Sequence, residues 1–320
     1  MSPLPILLDT DPGVDDALAL LLALRSPELE LVAVTTAAGN VGLEATTRNA
    51  LLLLELGGRP DLPVHAGETP PPERALVTAA DVHGGDGLGG ITALTDAAGR
   101  PRYPAGHRAP DPIPAVEAIP RYARARPDEI TLIAIGPLTN VARAAERDPE
   151  GLRRLGEIVV MGGAFRCPGN VTPVAEFNIF VDPAAAQTVL DLGVPLRFVP
   201  LDVTERVMVR PGDLNKPAAG RLAGFLRDLL EHTFRFYTDR VGCPACHLHD
   251  PLAVAAVIRP DLLRFRDAFV AVETTGEVTR GMTVADLREW LDRPAPNCAF
   301  AEAVDAESAR EFVLERLLSG

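Results

Sequence analysis

The chain has 320 residues, 47% of them hydrophobic and 23% charged, a globular composition that excludes intrinsic disorder as the main state. Its formal net charge of −13 and the absence of any Lys/Arg run exclude a nucleic-acid partner that would be bound through phosphate contacts. The first residues lack a signal-peptide pattern and the apolar runs are too short to span a membrane, so we expect a cytoplasmic protein with no membrane partner.

Apolar runs alternate with helical patterns along the chain. The first two thirds predict strands and helices in the order Pro5–Leu8 (strand), Val14–Leu24 (helix), Leu29–Thr36 (strand), Leu43–Leu56 (helix), Val64–Ala66 (strand), Ile113–Arg124 (helix), Ile130–Ile135 (strand), Leu138–Arg147 (helix), Ile158–Met161 (strand), Pro183–Leu192 (helix) and Leu196–Pro200 (strand). The last third predicts helices at Leu222–Tyr237, Leu252–Ile258 and Ala306–Leu318, and strands at Ala268–Glu273, Thr283–Asp286 and Ala299–Val304. Buried strands separated by helices predict an α/β fold with an open, mostly parallel sheet and helices on both faces. No segment resembles a flexible linker, so we expect residues 1–320 to form a single domain.

Two segments interrupt this alternation. Glu68–Asp111 is rich in Gly, Pro and Ala and too long for an ordinary connection, which favours a functional loop or lid. Gly242–His249 contains Cys243 and Cys246 beside two histidines, and this pattern raises the possibility of a zinc site. A single C-x-x-C without a second ligand pair is a weak signal, so we favour a mobile loop that presents a proton-donating histidine.

The most informative segment is Asp9–Asp16, which reads DTDPGVDD and directly follows the first predicted strand. Ligands of open α/β sheets bind outside the carboxyl ends of the strands. Helix capping and the helix dipole account for Asp15 and Asp16, but not for Asp9 and Asp11. Carboxylates gathered this closely repel one another unless a cation lies between them, and hard oxygen ligands suit Ca²⁺ or Mg²⁺. The segment therefore predicts a metal site.

A complete coordination sphere needs ligands from other strand ends, because Ca²⁺ takes six to eight oxygens. Asp202 and Asp250 are candidates, and the strand Ile130–Ile135 ends where a backbone carbonyl is free. Pro251 at a first helical position would also make Asp250 an N-cap.

Further polar side chains follow other predicted strands, and their amide and carboxylate groups suit the hydroxyls of a sugar. They are Asn40, Asn170, Glu176 and Asn178. Each residue type alone is common in turns, so the indication comes from their recurrence after successive strands.

Together these segments resemble the inosine–uridine preferring nucleoside hydrolase family. The matching stretches are DTDPGVDD (9–16), AVTTAAGN (33–40), VHGGDGLGG (82–90), IGPLTN (135–140), MGG (161–163), GNVTPVAEFNI (169–179) and HDPLA (249–253). The resemblance implies a nucleoside hydrolase-like fold and cleavage of the N-glycosidic bond of ribonucleosides with a tightly held Ca²⁺. It also implies a homodimer or homotetramer.

Carried over by motif, the resemblance implies a role for each matching residue. The metal would be held by Asp11, Asp16, Asp250 and the backbone carbonyl of Ile135. The substrate would be bound by Asp15, Asn40, His83, Asn170, Glu176, Phe177 and Asn178. Asp11 would also accept a proton from water as general base, and His249 would protonate the departing base, with His247 as a competing candidate. Purine or pyrimidine preference stays open.

Two other functions fit parts of the sequence. In a haloacid-dehalogenase-like phosphatase with Mg²⁺, Asp9 would be the nucleophile and Asp11 the acid/base. Asp15 and Asp16 then have no role, and the only lysine, Lys216, lies in a polar, Pro-rich segment. A nonenzymatic nucleoside- or ribose-binding protein is the third hypothesis, and the full acid set plus His249 argues against it.

Overall fold

The computed structural model describes residues 2–68, 77–104, 106, 108–215, 221–289 and 292–319. The strands in these ranges are β1 (Leu4–Thr10), β2 (Leu29–Thr36), β3 (Val64–Ala66), β4 (Thr131–Ala134), β5 (Glu157–Met161), β6 (Leu196–Val199), β7 (Met208–Val209), β8 (Cys246–His247), β9 (Leu263–Val272), β10 (Thr283–Asp286) and β11 (Cys298–Val304). The helices are α1 (Val14–Leu24), α2 (Leu43–Leu56), α3 (Ala80–His83), α4 (Ala115–Ala125), α5 (Thr139–Arg147), α6 (Pro149–Leu152), α7 (Phe177–Val181), α8 (Pro183–Leu190), α9 (Leu201–Thr204), α10 (Arg221–Val241), α11 (His249–Ile258) and α12 (Ala306–Leu318). None of these helices combines the length and the apolar character that a membrane crossing requires.

Nine of the described strands form one sheet in the order β10-β9-β11-β6-β5-β4-β1-β2-β3. In this sheet all neighbouring strands from β3 to β11 pair in parallel, and the pairings of β9 with β11 and β10 are antiparallel. The short strands β7 and β8 form a separate antiparallel pair. The chain order reverses between β1 and β4. Ligands of open α/β sheets bind at such a switch point, outside the carboxyl ends of the strands.

Apolar residues cover both faces of the sheet, as the predicted fold requires. Along β1, Ile6 and Leu8 pack in one core and Leu7 packs in the other, because successive side chains of a strand point to opposite faces. Helix α1 is apolar on almost every side and is buried, since it packs against α2, α11 and α12. The prediction of a mostly parallel sheet with helices on both faces is confirmed.

Most predicted elements are present, several with the predicted bounds. The coincident ones are Val14–Leu24, Leu29–Thr36, Leu43–Leu56, Val64–Ala66, Thr283–Asp286 and Ala306–Leu318. The helix predicted from Leu252 instead begins at His249, so Asp250 lies in its first turn and the prediction of an N-cap at Asp250 was wrong. The N-cap is Leu248, and Pro251 therefore stands at the third helical position. Proline is tolerated there because the first N–H groups of a helix have no helical partner, so its missing N–H costs no hydrogen bond.

The long connection after β3 is partly ordered by its own residues. It contains α3 and a 3₁₀ turn at Ile91–Ala93, and the Asp86 carboxylate accepts hydrogen bonds from the backbone N–H groups of Leu88, Gly90 and Thr92. Within this connection, residues 69–76, 105 and 107 lie outside the described ranges, as do Lys216 and Trp290 elsewhere in the chain.

Candidate active site

A cavity of about 540 Å³ lies at the carboxyl ends of the central strands. The residues that line it come from the start of α1, from the segments after β2, β4 and β5, from α3 and the residues before it, from the second half of α10, from β8 and from the start of α11. Its lining includes ten of the residues singled out from the sequence, namely Asp15, Asn40, His83, Ile135, Asn170, Glu176, Phe177, Asn178, His249 and Asp250. Segments far apart in the chain therefore meet in one place.

Asp16 organises the turn that leads from β1 into α1. Its Oδ1 accepts from the Thr10 hydroxyl at 2.5 Å and from the Asp11 N–H at 3.2 Å. Its Oδ2 accepts from the Gly13 N–H at 2.9 Å and from Asn40 Nδ2 at 2.9 Å. Four donors thus fix this carboxylate, although burial raises its pKa and the Asp15 charge raises it further.

Asp11 is fully buried, and only one of its carboxylate oxygens is satisfied. Oδ2 accepts from the Asn40 N–H at 2.6 Å, whereas Oδ1 has no hydrogen-bond partner among the described residues. A buried carboxylate oxygen without a partner is costly, so it indicates a missing ligand. Gly39 and Gly136 flank this carboxylate so closely that a Cβ at either position would clash with it.

Three more carboxylates lie near Asp11. Oxygen atoms of Asp15, Asp16 and Asp250 all lie within 4.8 Å of one another, and the charge of Asp11 acts on Asp250. Burial raises the pKa of Asp11 and Asp250 well above the usual range, and repulsion from the neighbouring carboxylates adds to both shifts. The same burial raises the pKa of Asp15 to about 6. The donor set fits a divalent cation with hard-oxygen preference.

Two acidic residues considered as cluster members lie elsewhere. Asp9 accepts from the Thr35 hydroxyl and from Asn140 Nδ2, so it ties β1 to β2 and α5 and does not join the acidic group. Asp202 accepts from the backbone N–H groups of Phe165 at 2.9 Å and Arg166 at 2.8 Å, which makes it a loop-capping residue. Neither carboxylate belongs to the group of Asp15, Asp16 and Asp250 among the described residues, so the open candidate Asp202 gains no support as a ligand.

The Cys/His segment does not bring three possible zinc ligands close together among the described residues. Among the described residues, the one group of three or more Asp, Glu, His or Cys side chains close enough to share an ion is the acidic cluster. Cys243 is half-buried and Cys246 is buried, and both are free thiols.

The polar side chains after β5 are held by backbone contacts on the cavity wall. The Glu176 carboxylate caps α7 by accepting from the N–H groups of Asn178 and Ile179, and it also accepts from Gly163. Burial nevertheless raises the pKa of Glu176 to about 7. Asn178 Nδ2 donates to the Ile135 carbonyl at 3.0 Å, the carbonyl that the sequence suggested as a metal ligand.

Asn170 and His83 also line the cavity, and each makes a hydrogen bond to a backbone N–H group. Asn170 Oδ1 accepts from the Phe177 N–H at 2.9 Å, which fixes the loop beside the buried Phe177 ring. His83 Nδ1 accepts from the Val14 N–H at 3.0 Å and lies 3.8 Å from Asp15 Oδ1. Burial lowers the pKa of His83 to about 4, so the ring is neutral and its Nε2 carries the proton.

His249 is the first residue of α11, not part of a mobile loop. Its Nδ1 lies 2.8 Å from the Thr204 hydroxyl, a contact that sequence reasoning missed because Thr204 carries no motif. Its ring stacks on His247 with centroids 5.3 Å apart, and Tyr237 meets the His247 ring edge-on at 5.3 Å. Burial lowers the pKa of His249 to about 3, so its imidazole is neutral. Cys246, Tyr237 and both histidines line the cavity.

Comparison with known proteins agrees with this geometry. The family model described as inosine-uridine preferring nucleoside hydrolase matches residues 6–311. The pyrimidine-specific ribonucleoside hydrolase RihA of Salmonella paratyphi B is 39% identical over 320 residues, covering 98% of each chain. The solved structure of a plant nucleoside hydrolase, the PpNRh1 enzyme, is 34% identical with a TM-score of 0.90 and covers 99% of this chain and 100% of its own.

A second solved structure, the purine-preferring ribonucleoside hydrolase from Gardnerella vaginalis, is 31% identical with a TM-score of 0.88 and 98% coverage of both chains. The match to the family model and both structural matches extend over nearly the whole chain. The chain therefore belongs to the inosine–uridine preferring nucleoside hydrolase family and is a ribonucleoside hydrolase.

Proposed function

We propose that this protein hydrolyses the N-glycosidic bond of ribonucleosides in a Ca²⁺-dependent reaction that releases ribose and a free base. The observation that carries the proposal is the buried, unpartnered Oδ1 of Asp11 beside the carboxylates of Asp15, Asp16 and Asp250. These groups lie at the sheet's switch point, next to a cavity large enough for a nucleoside-sized ligand.

The residues that would hold the ion are Asp11, Asp16, Asp250 and the Ile135 carbonyl. Asp15, and not Asp11, forms the group within 4.8 Å with Asp16 and Asp250. We assign Asp15 to the sugar, as the resemblance implies, and Asp11 to the ion, because the buried Oδ1 of Asp11 lacks a partner among the described residues. When bound, Ca²⁺ would offset the mutual repulsion of these carboxylates and offer positions for substrate and solvent oxygens.

Asp11 is the residue we assign as general base. Its Oδ2 is engaged by Asn40, so the unpartnered Oδ1 is the atom free to accept a proton from the attacking water. Asp15, Asn40, Asn170, Glu176 and Asn178 line the same cavity and supply carboxylate and amide groups for the ribose hydroxyls. Their oxygens would stabilise the positive charge that develops on the sugar ring as the C–N bond breaks.

On the leaving-group side, we assign His249 as the residue that donates to the departing base. It lines the cavity next to Asp250, and Thr204 holds its Nδ1. His83 and Phe177 line the same cavity and complete the substrate-binding set.

The two other hypotheses agree less well with the observations. The phosphatase hypothesis gives no role to Asp15 and Asp16, which form the acidic group with Asp250, and it does not agree with the family match. A purely binding role is incompatible with membership of a family of ribonucleoside hydrolases.

The resemblance also supports a homodimer or homotetramer in the cytoplasm as part of this proposal. Light scattering coupled to gel filtration measures the oligomeric state directly. A monomeric mass at micromolar concentration would remove that part of the proposal without affecting the chemistry.

The test of the proposal is ribose release. The protein is incubated with Ca²⁺ and uridine, cytidine or inosine, because the relatives include a pyrimidine-specific and a purine-preferring enzyme. We expect release of reducing sugar from at least one nucleoside, loss of activity after exhaustive chelation and recovery on adding Ca²⁺. Activity that persists in chelator would contradict the metal dependence, and release of phosphate from nitrophenyl phosphate would restore the phosphatase hypothesis.

A further inference from the structure

Thr204 is not among the residues that line the cavity, but its side chain contacts His249, which does line it. Thr204 ends the short helix α9 after β6 and is fully buried. Its hydroxyl has one hydrogen-bond partner among the described residues, which is Nδ1 of His249 at 2.8 Å. The two residues are 45 positions apart in the chain, so only the fold brings them together.

The direction of this hydrogen bond follows from the burial of Thr204. A hydroxyl carries one proton, and a buried O–H without an acceptor costs free energy. If Nδ1–H of His249 donated to the hydroxyl, the Thr204 proton would have no acceptor among the described residues. The hydroxyl therefore donates, and Nδ1 of His249 is the acceptor.

This direction determines where the His249 proton sits. A neutral imidazole carries one N–H, so a ring whose Nδ1 accepts must carry its proton on Nε2. The ring cannot rotate freely, because its face stacks on His247 at an interplanar angle of 24° and His247 is in turn packed by Tyr237. The orientation of the His249 ring is therefore set by His247, and its tautomer is set by Thr204.

We propose that Thr204 is a positioning residue that holds His249 in the Nε2–H tautomer, so that Nε2 donates to a nitrogen or oxygen of the departing base. This inference rests on the proposed function, since it assigns His249 to the leaving group. As the C–N bond breaks, its electron pair passes to the base, and the His249 Nε2–H donates to that developing negative charge. Thr204 supplies no proton to the base and acts only through Nδ1 of His249.

The first test is spectroscopic and needs no turnover. In protein labelled with ¹⁵N-histidine, the two ring nitrogens have distinct shifts when one is protonated, and His249→Gln identifies the His249 signals among the six histidines. We expect a protonated Nε2 and an unprotonated Nδ1 in the wild type, with and without Ca²⁺. Thr204→Val should broaden or shift these signals towards a mixture of tautomers, and Thr204→Ser should restore them.

The second test is the dependence on the leaving group. Uracil, released from uridine, is a poor leaving group that needs a hydrogen-bond donor, whereas 4-nitrophenolate departs from its riboside without one. Thr204→Val should lower kcat for uridine by about tenfold or more and leave nitrophenyl riboside within about twofold, with KM little changed. Thr204→Ser keeps the hydroxyl and should recover uridine turnover. Thr188→Val is the matched control, because Thr188 is a half-buried threonine of α8 whose hydroxyl donates to the Ala184 carbonyl of its own helix.

Specific outcomes overturn the inference. A protonated Nδ1 in the wild type, or Thr204→Val with unchanged tautomer and unchanged uridine turnover, contradicts it. Equal losses on both substrates would make Thr204 a purely structural residue. If no riboside is cleaved by the wild type, the proposed function fails, and the ¹⁵N measurement still decides the tautomer assignment. The serine variant also keeps the test valid if the valine variant does not fold.

Discussion

At the scale of single residues, the same side-chain type serves different purposes because its neighbours differ. Asp16 accepts four hydrogen bonds and shapes the turn, whereas Asp11 keeps one oxygen without a partner in the part of the chain that is described. Asp9, two positions earlier, is held between β2 and α5 through its Oδ1, and its Oδ2 also has no partner among the described residues. Asp11 differs from Asp9 in its surroundings, because the charges of Asp15 and Asp16 act on Asp11 and its free oxygen is therefore available to a shared ligand or a proton.

Replacing Asp11 by Asn tests the role of the unpartnered oxygen. Asn keeps the size of the side chain but removes the charge that attracts a cation and the basic oxygen that accepts a proton. We expect turnover to fall by about 10²–10⁴-fold and Ca²⁺ affinity to weaken, measured by ribose release and by calorimetry. Asp261→Asn, at an exposed carboxylate paired with Arg259, is the control and should match the wild type. Retained activity in Asp11→Asn would refute the assignment of the general base.

At the scale of elements, the strand ends meet around Asp11 because the turns there contain glycine. Gly39 follows β2 and Gly136 follows β4, and both approach the Asp11 carboxylate without a side chain of their own. A Cβ at Gly136 would lie 2.5 Å from Asp11 Oδ1, well inside van der Waals contact. The turns are therefore shaped to leave room for the carboxylate, and neither glycine needs an unusual backbone angle to do so.

The substitution Gly136→Ala should disturb the metal site more than the fold. The added methyl group must displace Asp11 Oδ1, so we expect Ca²⁺ affinity and turnover to fall together by about tenfold or more. The cost in stability should be about 1–3 kcal/mol, typical of overpacking. Gly42→Ala is the matched control, because a Cβ at Gly42 has no atom within 4 Å. Calorimetric Ca²⁺ titration and urea unfolding of both variants check this. Undiminished Ca²⁺ affinity in Gly136→Ala would show that the carboxylate is not confined as described.

At the scale of the whole molecule, burying this many carboxylates opposes folding when no cation is present. Without metal, burial raises the pKa of Glu176 to about 7 and the pKa values of Asp11 and Asp250 well above their usual range. In the unfolded chain these groups ionise at ordinary acidic pH. The folded protein therefore retains protons that the unfolded chain has lost, and its free energy of unfolding falls as pH rises through the folded pKa values.

The pH dependence of stability should consequently change with Ca²⁺. Between about pH 7 and pH 8, metal-free protein should lose stability by up to about 1.4 kcal/mol per pH unit for each carboxyl group that stays protonated. The histidines with lowered pKa, His83 and His249, act in the opposite direction but only below the unfolded pKa of His near 6.5. Saturating Ca²⁺ keeps the carboxylates of the cluster ionised, so the free energy of unfolding should depend less on pH. The stabilisation of the protein by Ca²⁺ should therefore be larger at pH 8 than at pH 7.

Urea unfolding in chelator and in Ca²⁺ at these two pH values measures the effect. Glu176→Gln removes one titrating group and should reduce the metal-free slope. Metal-free stability that is level or rises from pH 7 to pH 8 would contradict the protonated cluster. An equal Ca²⁺ effect at both pH values would show that the ion does not compete with those protons.

The sequence alone was sufficient to predict most elements and the family, because both depend on local pattern. Apolar periodicity distinguishes buried strands from helices, and the acidic segment 9–16 lies directly after a strand, where parallel sheets place their ligands. Position after a predicted strand or at the start of a predicted helix also identified five further site candidates, and the structure places all of them on one cavity. They are Asn40, Asn170, Glu176, Asn178 and Asp250. The single domain and the individual site roles stay predictions.

The tertiary structure alone decided which way the polar groups point. Asp9 was grouped with Asp11 from its position, but its partner Asn140 is 131 residues away, and no local pattern reports that contact. The helix start at His249 and the hydrogen bond from Thr204 were missed for the same reason. Hydrogen bonds are short and directional, so the partners of a buried polar group are determined only when distant segments pack together.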